Sequence, residues 1–462
     1  MNHKSSKPTI IHLLFGGFIA LCLLLPAMAQ AVQLTNDGNN HYNPVAARDA
    51  AGNVHLATSP GQSANIYYSM VAADGTTLIA PTQISASADT NQQRPAIAVT
   101  STGKVIVIWQ IGGGIPELYF VQIDPSLHAQ DGTTANPATI KTVADTLISG
   151  ADGVSSGHVS ITLDTADNIH AIWEERCGNS VWYSKLDSSG GSLIAPVNIG
   201  ANNDCHATPD IVVDTNGNAH VVWSDNNTAT GNIHYMMING TTGAAMIDDT
   251  DLGVSLGKIT SISVDGSGHV YIVWAKHGDN NTALSNQSVA YAIKLNPGLH
   301  AQDGSAAAPA SSIVVVGETA IPSSNPGTTY SYYPDSSLGV DSRLHVTWNE
   351  NGGCSTGDLW HARLSTANLS VLSSNQLSST AALHSCRTYG TVFPTGIVWS
   401  DDPGATGTDN IFAVAIAAPP SGPIPDDDPL CGNLIPTGKQ SPWTLAILGM
   451  LMLGVWVSRR RA

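Results

Sequence analysis

Residues 217–225 read GNAHVVWSD, and the same pattern returns imperfectly along the chain. Seven copies align on the position of Trp223: GNVHLAT, GKVIVIW, DNIHAIW, GNAHVVW, GHVYIVW, SRLHVTW and FPTGIVW, which end at Thr58, Trp109, Trp173, Trp223, Trp274, Trp348 and Trp399. The successive intervals are 51, 64, 50, 51, 74 and 51 residues. The chain is therefore built from a repeated unit, with insertions in two of the copies.

A period of about 50 residues with four short strands in each unit is typical of a β-propeller. The composition agrees, because only 11% of the residues are charged while 44 are Gly and 25 are Pro, which suits strands joined by many turns. We therefore predict an all-β protein that folds as a seven-bladed β-propeller. Because the last copy is weak, six blades remain an alternative.

Each unit is predicted to contain four strands. In the unit of Trp223, residues 209–213 form the innermost strand, a turn from Asp214 to Gly217 follows, and residues 219–223 form the second strand. Aspartate opens such a turn by accepting from backbone N–H groups, and glycine supplies a positive φ. The second strand alternates, so its Trp points into the layer between blades. Histidines recur on the other face of this strand, on separate blades, and we interpret them as structural: His55, His170, His220 and His345.

The first part of the mature chain is predicted to close the ring. Residues 32–35 precede Pro44 in the way that outer strands precede the next blade elsewhere, but no earlier blade exists for them to complete. The last blade ends with a strand at residues 411–417. We expect the N-terminal strand to complete that last blade, which removes the open edge of the propeller.

Both ends of the chain have the character of sorting segments. Lys4 and Lys7, an apolar run and Ala-Met-Ala at 27–29 predict a signal peptide over residues 1–29. The propeller is assigned to residues 30–418 and a Pro- and Asp-rich linker to 419–440. Residues 441–462 contain an apolar run followed by arginines, which predicts a C-terminal transmembrane helix whose basic end stays cytoplasmic. The body is then exported, to the cell surface or beyond it.

The C-terminal tail resembles the bacterial protein-sorting tails of the PEP-CTERM and GlyGly-CTERM class. The features that carry the resemblance are a short motif at Cys431 and Gly432, the apolar helix, and the cluster of Arg459, Arg460 and Arg461. The resemblance implies that a membrane protease recognises and removes the tail, so that the protein is held in the membrane only before processing. A permanent single-span anchor is the alternative.

Two insertions of the chain lie three units apart, and so do two pairs of cysteines. Residues 127–132 and 299–304 both read LHAQDG, in the second and fifth units. In the third and sixth units, a cysteine follows the Trp and another lies in the connector leaving the unit. We predict the disulfides Cys177–Cys205 and Cys354–Cys386, which export makes chemically reasonable. A duplication of three blades would explain both features.

The charge of the chain disfavours two classes of partner. Between residues 30 and 458 there are 13 basic and 35 acidic residues, a net charge of −22. This disfavours nucleic acid and anionic lipid as partners and keeps a monomeric exported protein soluble. No metal or cofactor motif is found in the sequence, although the acidic surface leaves structural calcium open.

Connections between third and fourth strands resemble degenerate Asp boxes of the sialidase-like, BNR-repeat propellers. The stretches are AADGTTLIAP at residues 72–81 and DSSGGSLIAP at 187–196. The resemblance implies the fold. A sialidase would also need three arginines around the carboxylate of its substrate, and only Arg94, Arg176 and Arg387 are placed at the predicted mouth of the propeller. No residue can be assigned a catalytic role from the resemblance.

Polar side chains at one end of the ring form the candidate binding site. The position two residues after the Trp is acidic in four copies, and two arginines lie in loops at the same end, giving Glu175, Arg176, Asp225, Glu350, Arg387 and Asp401. We predict a surface module that binds a protein or carbohydrate without catalysis. A glycoside hydrolase or lyase that uses two of these carboxylates is the alternative. A third interpretation is that the carboxylates only cap the strand ends.

Overall fold

In the computed structural model, the described part of the chain comprises residues 31–35, 42–59, 65–85, 92–112, 116–149, 156–175, 180–201, 208–225, 232–254, 257–276, 290–322, 332–350, 358–378, 390–401 and 410–416. Within it, the strands form seven four-stranded antiparallel sheets. Each sheet is one blade, numbered here 1 to 7 from the N-terminus. The prediction of seven blades is confirmed, and six blades is wrong.

In blades 1 to 6, the strands run from the innermost to the outermost in chain order. Blades 1 and 2 contain β2 (Tyr42–Arg48), β3 (Val54–Ser59), β4 (Tyr67–Val71), β5 (Thr77–Gln83), β6 (Gln92–Val99), β7 (Val105–Ile111), β8 (Glu117–Ile123) and β9 (Lys141–Leu147). Blades 3 and 4 contain β10 (Ser156–Leu163), β11 (Ile169–Glu175), β12 (Ser180–Leu186), β13 (Ser192–Ala201), β14 (Asp210–Val213), β15 (Ala219–Ser224), β16 (Ile233–Ile238) and β17 (Ala245–Asp251).

Blades 5 and 6 contain β18 (Gly257–Val264), β19 (Val270–Lys276), β20 (Ala290–Leu295), β21 (Val314–Ile321), β22 (Tyr332–Leu338), β23 (Leu344–Glu350), β24 (Asp358–Leu364) and β25 (Val371–Gln376). Blade 7 consists of β26 (Gly390–Phe393), β27 (Gly396–Asp401), β28 (Asn410–Ala415) and, outermost, β1 (Val32–Gln33). Four short helices lie in the insertions of blades 2 and 5, at Pro125–Leu127, Pro137–Ile140 (α1), Pro297–Leu299 and Ala310–Ser312.

The N-terminal strand closes the ring as predicted. β1 pairs antiparallel with β28, with Val32 opposite Ala413 and Gln33 opposite Phe412. Beyond the paired strand, the Ile411 amide donates to the Thr35 hydroxyl at 2.8 Å. The inner strands β2, β6, β10, β14, β18, β22 and β26 contact one another in this order, and β26 returns to β2. The seven inner strands therefore surround a central channel.

The tryptophan of the repeat packs each blade onto the blade before it. All six tryptophans of the repeat are buried: Trp109, Trp173, Trp223, Trp274, Trp348 and Trp399. Trp223 of blade 4, for example, lies in a cluster with Ile172 and Tyr183 of blade 3. A Cβ atom at Gly200, on the outer strand of blade 3, would come within 2.5 Å of the Trp223 ring, so glycine is needed there. The inter-blade layer is thus built from one large side chain per blade.

The recurring histidines tie the second and third strands of their own blade to the Asp turn. In blade 1, His55 Nδ1 shares a hydrogen bond of 2.8 Å with the Tyr68 hydroxyl, and Nε2 lies 3.4 Å from Asp49. His170 makes the equivalent contacts in blade 3, where burial and the Lys185 cation lower its pKa to about 4. A buried neutral imidazole on each of several separate blades is a structural element, in agreement with the sequence interpretation.

The insertions of blades 2 and 5 cover the outer edge of the preceding blade. The Ala80 amide of β5 donates to the Thr133 carbonyl at 3.1 Å, and the Asp248 amide of β17 donates to the Ser305 carbonyl at 3.1 Å. These bonds belong to two parallel bridges, which pair Ala80 with Thr134 and Asp248 with Ala306. Because exposed strand edges favour aggregation, covering them protects an isolated propeller.

Several predictions concern residues outside the described part of the chain. They are the signal peptide, the linker, the C-terminal helix with its sorting motif, and the disulfide cysteines Cys177, Cys205, Cys354 and Cys386. Among the described residues, none of the helices has the length and apolarity that a bilayer span requires.

The closing strand gives a stability prediction. Leu34 is buried against Leu56 of blade 1 and Val398 of blade 7, so it joins the first and last blades. Leu34→Ala should lower the free energy of unfolding by about 2–5 kcal/mol, because it leaves a cavity at the closure. Urea denaturation measures the change. Val197→Ala, on the exposed face of β13, is the control and should cost less than about 0.5 kcal/mol; equal effects of the two changes would contradict the role of closure.

Candidate functional site

The central channel forms a cavity in the described part of the structure. It has a volume of about 530 Å³ and is lined by residues from all seven inner strands and the segments that lead into them. This volume lies within the range of ligand pockets in proteins. The inner strands therefore decide which chemical groups a ligand in the channel would meet.

One residue of each inner strand lies at the same level of the channel, opposite the residue that precedes the Trp position. From blade 1 to blade 7 these residues are Val45, Ala96, Ser160, Asp210, Ser261, Asp335 and Thr391. The members from blades 3 to 7 are all polar and we call the set of seven the inner belt. At the level of the inner belt, blades 1 and 2 thus contribute apolar residues and the other five blades contribute polar ones.

Asp210 joins three blades through its carboxylate. Its Oδ1 accepts from the Ser160 hydroxyl of blade 3 at 2.6 Å, and its Oδ2 accepts from the Ile262 amide of blade 5 at 2.9 Å. Burial raises the pKa of Asp210, although these donors oppose the shift. The side chain acts as a bridge between neighbouring inner strands.

Asp335 repeats this arrangement on the other side of blade 5. It accepts from the Ser261 hydroxyl at 3.1 Å and from the Val392 amide of blade 7 at 2.8 Å. Burial raises the pKa of Asp335 to about 7, and the nearby charge of Asp210 adds to the shift while the Val392 amide opposes it. The two carboxylates of the inner belt are therefore coupled electrostatically.

Three consecutive blades begin their inner strands with a residue in the left-handed region. These residues are Arg94, His158 and Thr208, with φ of 53°, 48° and 38°. Arg94 and His158 lie where the pairing of β6 and β10 skips two residues, and Thr208 directly precedes β14. All three line the channel. Bulges re-aim side chains, and a positive φ at a non-glycine residue costs of order 1–3 kcal/mol, so this strain needs a compensating role.

The first two of these residues form a chain of contacts that ends on a buried carboxylate. Arg94 Nη1 contacts His158 Nε2, and His158 Nδ1 contacts Glu174 Oε1. The Glu174 side chain is fully buried, whereas that of His158 is 15% exposed. Arg94 comes from blade 2 and the other two residues from blade 3. This chain joins a cation, an imidazole and a carboxylate at the mouth of the channel.

The acidic residues predicted from the repeat lie at the same end of the propeller but outside the channel wall. Glu175 accepts from the Ser180 hydroxyl at 2.8 Å, and Glu350 accepts from the indole N–H of Trp348 at 3.0 Å. Asp225 accepts from the Asn232 amide at 2.6 Å, across the end of the β15–β16 hairpin. These hydrogen bonds hold the three carboxylates at the ends of the second strands of their blades. A binding role for the three carboxylates stays a prediction.

His234 lies beside one of these predicted residues. It stacks on Trp223, with 5.4 Å between the ring centroids, and its Nδ1 contacts Asp249 at 2.6 Å. Its Nε2 is 3.8 Å from Asp225. Burial opposes protonation, but Asp249 and the other nearby carboxylates raise the pKa of His234. The surrounding carboxylates therefore favour the protonated form of the imidazole.

The other predicted binding residues cannot be placed with Glu175. Arg176 and Arg387 lie outside the described residues, and for Asp401 only the backbone is described, at the end of β27. Over the described part of the chain, no group of three or more His, Cys, Asp or Glu side chains is arranged to hold a metal ion. The arrangement that the structure does bring together is that of Arg94, His158 and Glu174.

His158 and the two aspartates of the inner belt are not among the residues predicted from the sequence. A signal for His158 was present in the residue six positions before the start of the turn, which is Thr100 in blade 2 and Asp in blades 3 and 4. This residue is Arg94 or Thr208 in neighbouring blades, each followed by proline, and His158 occupies the same place before Val159. The contact with Glu174, 16 residues later, depends on the bulge and has no local signal. No pattern in the sequence distinguishes Asp210 and Asp335 from the other residues of their strands.

Comparison with known proteins shows the fold. No protein-family model matches the chain, and no curated protein matches it in sequence. An ulvan lyase of polysaccharide lyase family PL25, solved bound to -[GlcA(1-4)Rha3S]-, superposes with a TM-score of 0.53 at 10% identity, covering 84% of this chain and 95% of that one. The polysaccharide lyase Uly1 reaches 0.48 at 8% identity, over 85% of this chain and 98% of that one.

A sialidase, described as the Hadza microbial sialidase Hz136, also superposes, with a TM-score of 0.40 at 8% identity over 78% of this chain and 75% of that one. The structural neighbours thus include a sialidase and lyases. At such low identity, the likeness to the ulvan lyase is one of fold alone, and the two looser superpositions carry no further weight.

The inner belt gives a prediction on pH and stability. An unfolded aspartate loses its proton at about pH 4, whereas folded Asp335 keeps its proton to about pH 7. The folded state therefore holds more protons between these values, and this group makes the free energy of unfolding fall as the pH rises through the window. Asp335→Asn should remove that part of the slope, measured by urea denaturation below, within and above the window.

The slope is the quantity to compare, because an amide at position 335 also changes the hydrogen bonds to Ser261 and Val392. Asp248→Asn, at an exposed position of β17, is the matched control and should keep the slope of the unchanged protein. If Asp335→Asn and the unchanged protein show the same slope, the shifted titration of Asp335 is refuted.

Proposed function

We propose that the protein binds an acidic carbohydrate at the mouth of the central channel, with Arg94 engaging a carboxylate of the ligand. The observation that carries this proposal is the positive backbone φ of Arg94, His158 and Thr208 in blades 2 to 4. This backbone conformation directs the three side chains into one sector of the channel. Strain of this kind concentrates at ligand-binding sites, where the surrounding fold compensates for it.

The groups around the channel suit a saccharide. A guanidinium binds a carboxylate by charge-assisted hydrogen bonds. Elsewhere on the wall, hydroxyls such as Ser160 and Thr391 and the carboxylates of Asp210 and Asp335 are the donors and acceptors that sugar hydroxyls use. The ulvan lyase with a similar fold is bound to an oligosaccharide that contains glucuronate. That likeness supports the ligand class by analogy of fold only.

The charge of the chain limits what kind of acidic carbohydrate fits. With a formal net charge of −17, the protein does not attract polyanions over long distances. Recognition therefore depends on the local cation Arg94 inside a narrow cavity. We propose a ligand with an isolated uronate or similar acid, bound at a chain end or as a short oligosaccharide, rather than a densely charged polymer.

The place of action follows from the terminal segments. In this proposal the signal peptide exports the chain, and the C-terminal tail holds the propeller at the membrane until a sorting protease removes it. The carbohydrate is then an extracellular or cell-surface molecule. Binding of this kind serves a non-catalytic module and is also the first step of an enzyme.

Replacing the cation tests the proposal. Arg94→Gln should weaken binding of an acidic oligosaccharide by about tenfold or more, because a charge-assisted hydrogen bond contributes roughly 1.5–3 kcal/mol. A glycan array that includes uronate-containing saccharides identifies the ligand, and titration calorimetry measures its affinity. The matched control is Arg363→Gln, at a side chain that is 45% exposed on β24, which should leave the affinity unchanged.

The ligand offers a second control. Reducing its carboxyl to an alcohol keeps the shape of the sugar and removes the charge, and binding should fall by a similar factor. If the array shows binding to neutral glycans only, or if Arg94→Gln binds the acidic ligand as tightly as the unchanged protein, the proposal is wrong.

A further inference from the structure

The tautomer of His158 follows from its two neighbours. A guanidinium can only donate hydrogen bonds, so Nε2, which contacts Arg94 Nη1, must be an acceptor. The proton of the neutral ring then lies on Nδ1, from which it is donated to Glu174 Oε1. His158 therefore presents the lone pair of Nε2 toward the channel, with a carboxylate behind the ring.

Glu174 is not required for the architecture of a blade. It occupies the position directly after the Trp of the repeat, where the other six blades have neutral residues: Ser59, Gln110, Ser224, Ala275, Asn349 and Ser400. Glu174 is completely buried, and burying a carboxylate is costly unless it is paired. The six neutral residues show that the strand needs no charge there, so the carboxylate serves the imidazole.

A base, a buried carboxylate that orients it, and an adjacent cation form the machinery of general-base catalysis next to a bound anion. We infer that His158 is a general base that removes a proton from the carbon next to the carboxylate of a uronate bound by Arg94, and that Glu174 is its positioning residue. This inference rests on the proposed function, because it requires an acidic sugar at Arg94. The ligand carboxylate replaces His158 as the acceptor for Arg94, which frees Nε2.

The reaction is a β-elimination, and it balances without another reactant. Nε2 takes the proton, and the electrons of the broken C–H bond form a carbon–carbon double bond with the neighbouring ring carbon. The bond from that carbon to the glycosidic oxygen breaks, and the oxygen leaves with the electron pair and takes the proton from Nε2. The products are an unsaturated uronate and a new sugar hydroxyl, and His158 returns to its neutral form.

Arg94 has a part in this step beyond binding. A proton next to a carboxylate is hard to remove because the negative charge repels the carbanion that develops. A guanidinium on the carboxylate reduces that repulsion in a site that is partly shielded from water. The contact between Arg94 and His158 therefore places the cation and the base on adjacent atoms of one uronate.

The test uses the purified full chain and an acidic oligosaccharide that it binds on the array. The unchanged protein should release a product with the ultraviolet absorbance of a conjugated unsaturated uronate, and in heavy water the bound uronate should exchange the proton next to its carboxyl. His158→Asn keeps a residue that tolerates a positive φ and should lower turnover by about 100-fold to 10,000-fold. Its affinity for the oligosaccharide should stay within about threefold, because the carboxylate contact at Arg94 remains.

Glu174→Gln tests the positioning role. Turnover should fall by about tenfold to 100-fold with little change in KM, since the ring loses the charge that stabilises its protonated form. For the same reason, the acid limb of the pH–rate profile should move to lower pH, which a loss of folding stability alone would not cause. His269→Asn, at a partly exposed residue of the blade 5 turn, is the matched control and should keep full turnover.

The outcomes separate the two proposals. If the unchanged protein binds none of the acidic glycans, both the proposed function and this inference fail. If it binds one but gives neither an unsaturated product nor proton exchange, the base role fails and the binding function stands. Turnover that survives in His158→Asn would likewise overturn the role of His158.

Discussion

The packing of one tryptophan per blade against the blade before it is the interaction on which the rest of the structure depends. Removing a buried Trp side chain costs about 3–5 kcal/mol in protein cores, so each inter-blade layer has a large part of its stability in one residue. Blade 1 has Thr58 in this position, and Leu56 fills the layer against blade 7 instead. Because each sheet can bury this face only against a neighbour, the sheets must continue around a closed ring.

Closure of the ring places the seven inner strands around one axis, and their polar residues then face each other. Asp210 and Asp335 respond to this by accepting from hydroxyls and amides of adjacent blades. The same bonds that satisfy the carboxylates also connect the inner strands. The cost appears in the pKa of Asp335, which burial and the second carboxylate raise to about 7. Closure of the ring therefore allows the blades to pack, but it also removes two carboxylates from water.

The sequence was sufficient for features that depend on local periodicity. The interval between tryptophans, the Asp turns and the strand at Val32–Gln33 each follow a rule that involves only a few neighbouring residues, and the structure has them where they were expected. The Arg94–His158–Glu174 chain follows no such rule. It depends on two bulges, a positive φ at His158 and a contact between blades 2 and 3, none of which a periodic pattern specifies. The acidic residues two positions after the Trp in four copies were conspicuous in the sequence for the opposite reason: they repeat, and repetition in a propeller indicates a shared structural position first.

Residues that serve the scaffold repeat three blades apart in the ring, whereas residues at the mouth of the channel do not. Three blades apart, the insertions share LHAQDG, a short helix that leads into it from Pro125 or Pro297, and the same bridge to the preceding blade. At the mouth the equivalent positions differ, since Glu174 of blade 3 corresponds to Asn349 of blade 6 and His158 to Tyr333. If the mouth residues served only the fold, blades 3 and 6 could have the same residues there, as blades 2 and 5 have in their insertions. Of these two blades, only blade 3 has the histidine and the glutamate, which is expected of a single site on a repeated scaffold.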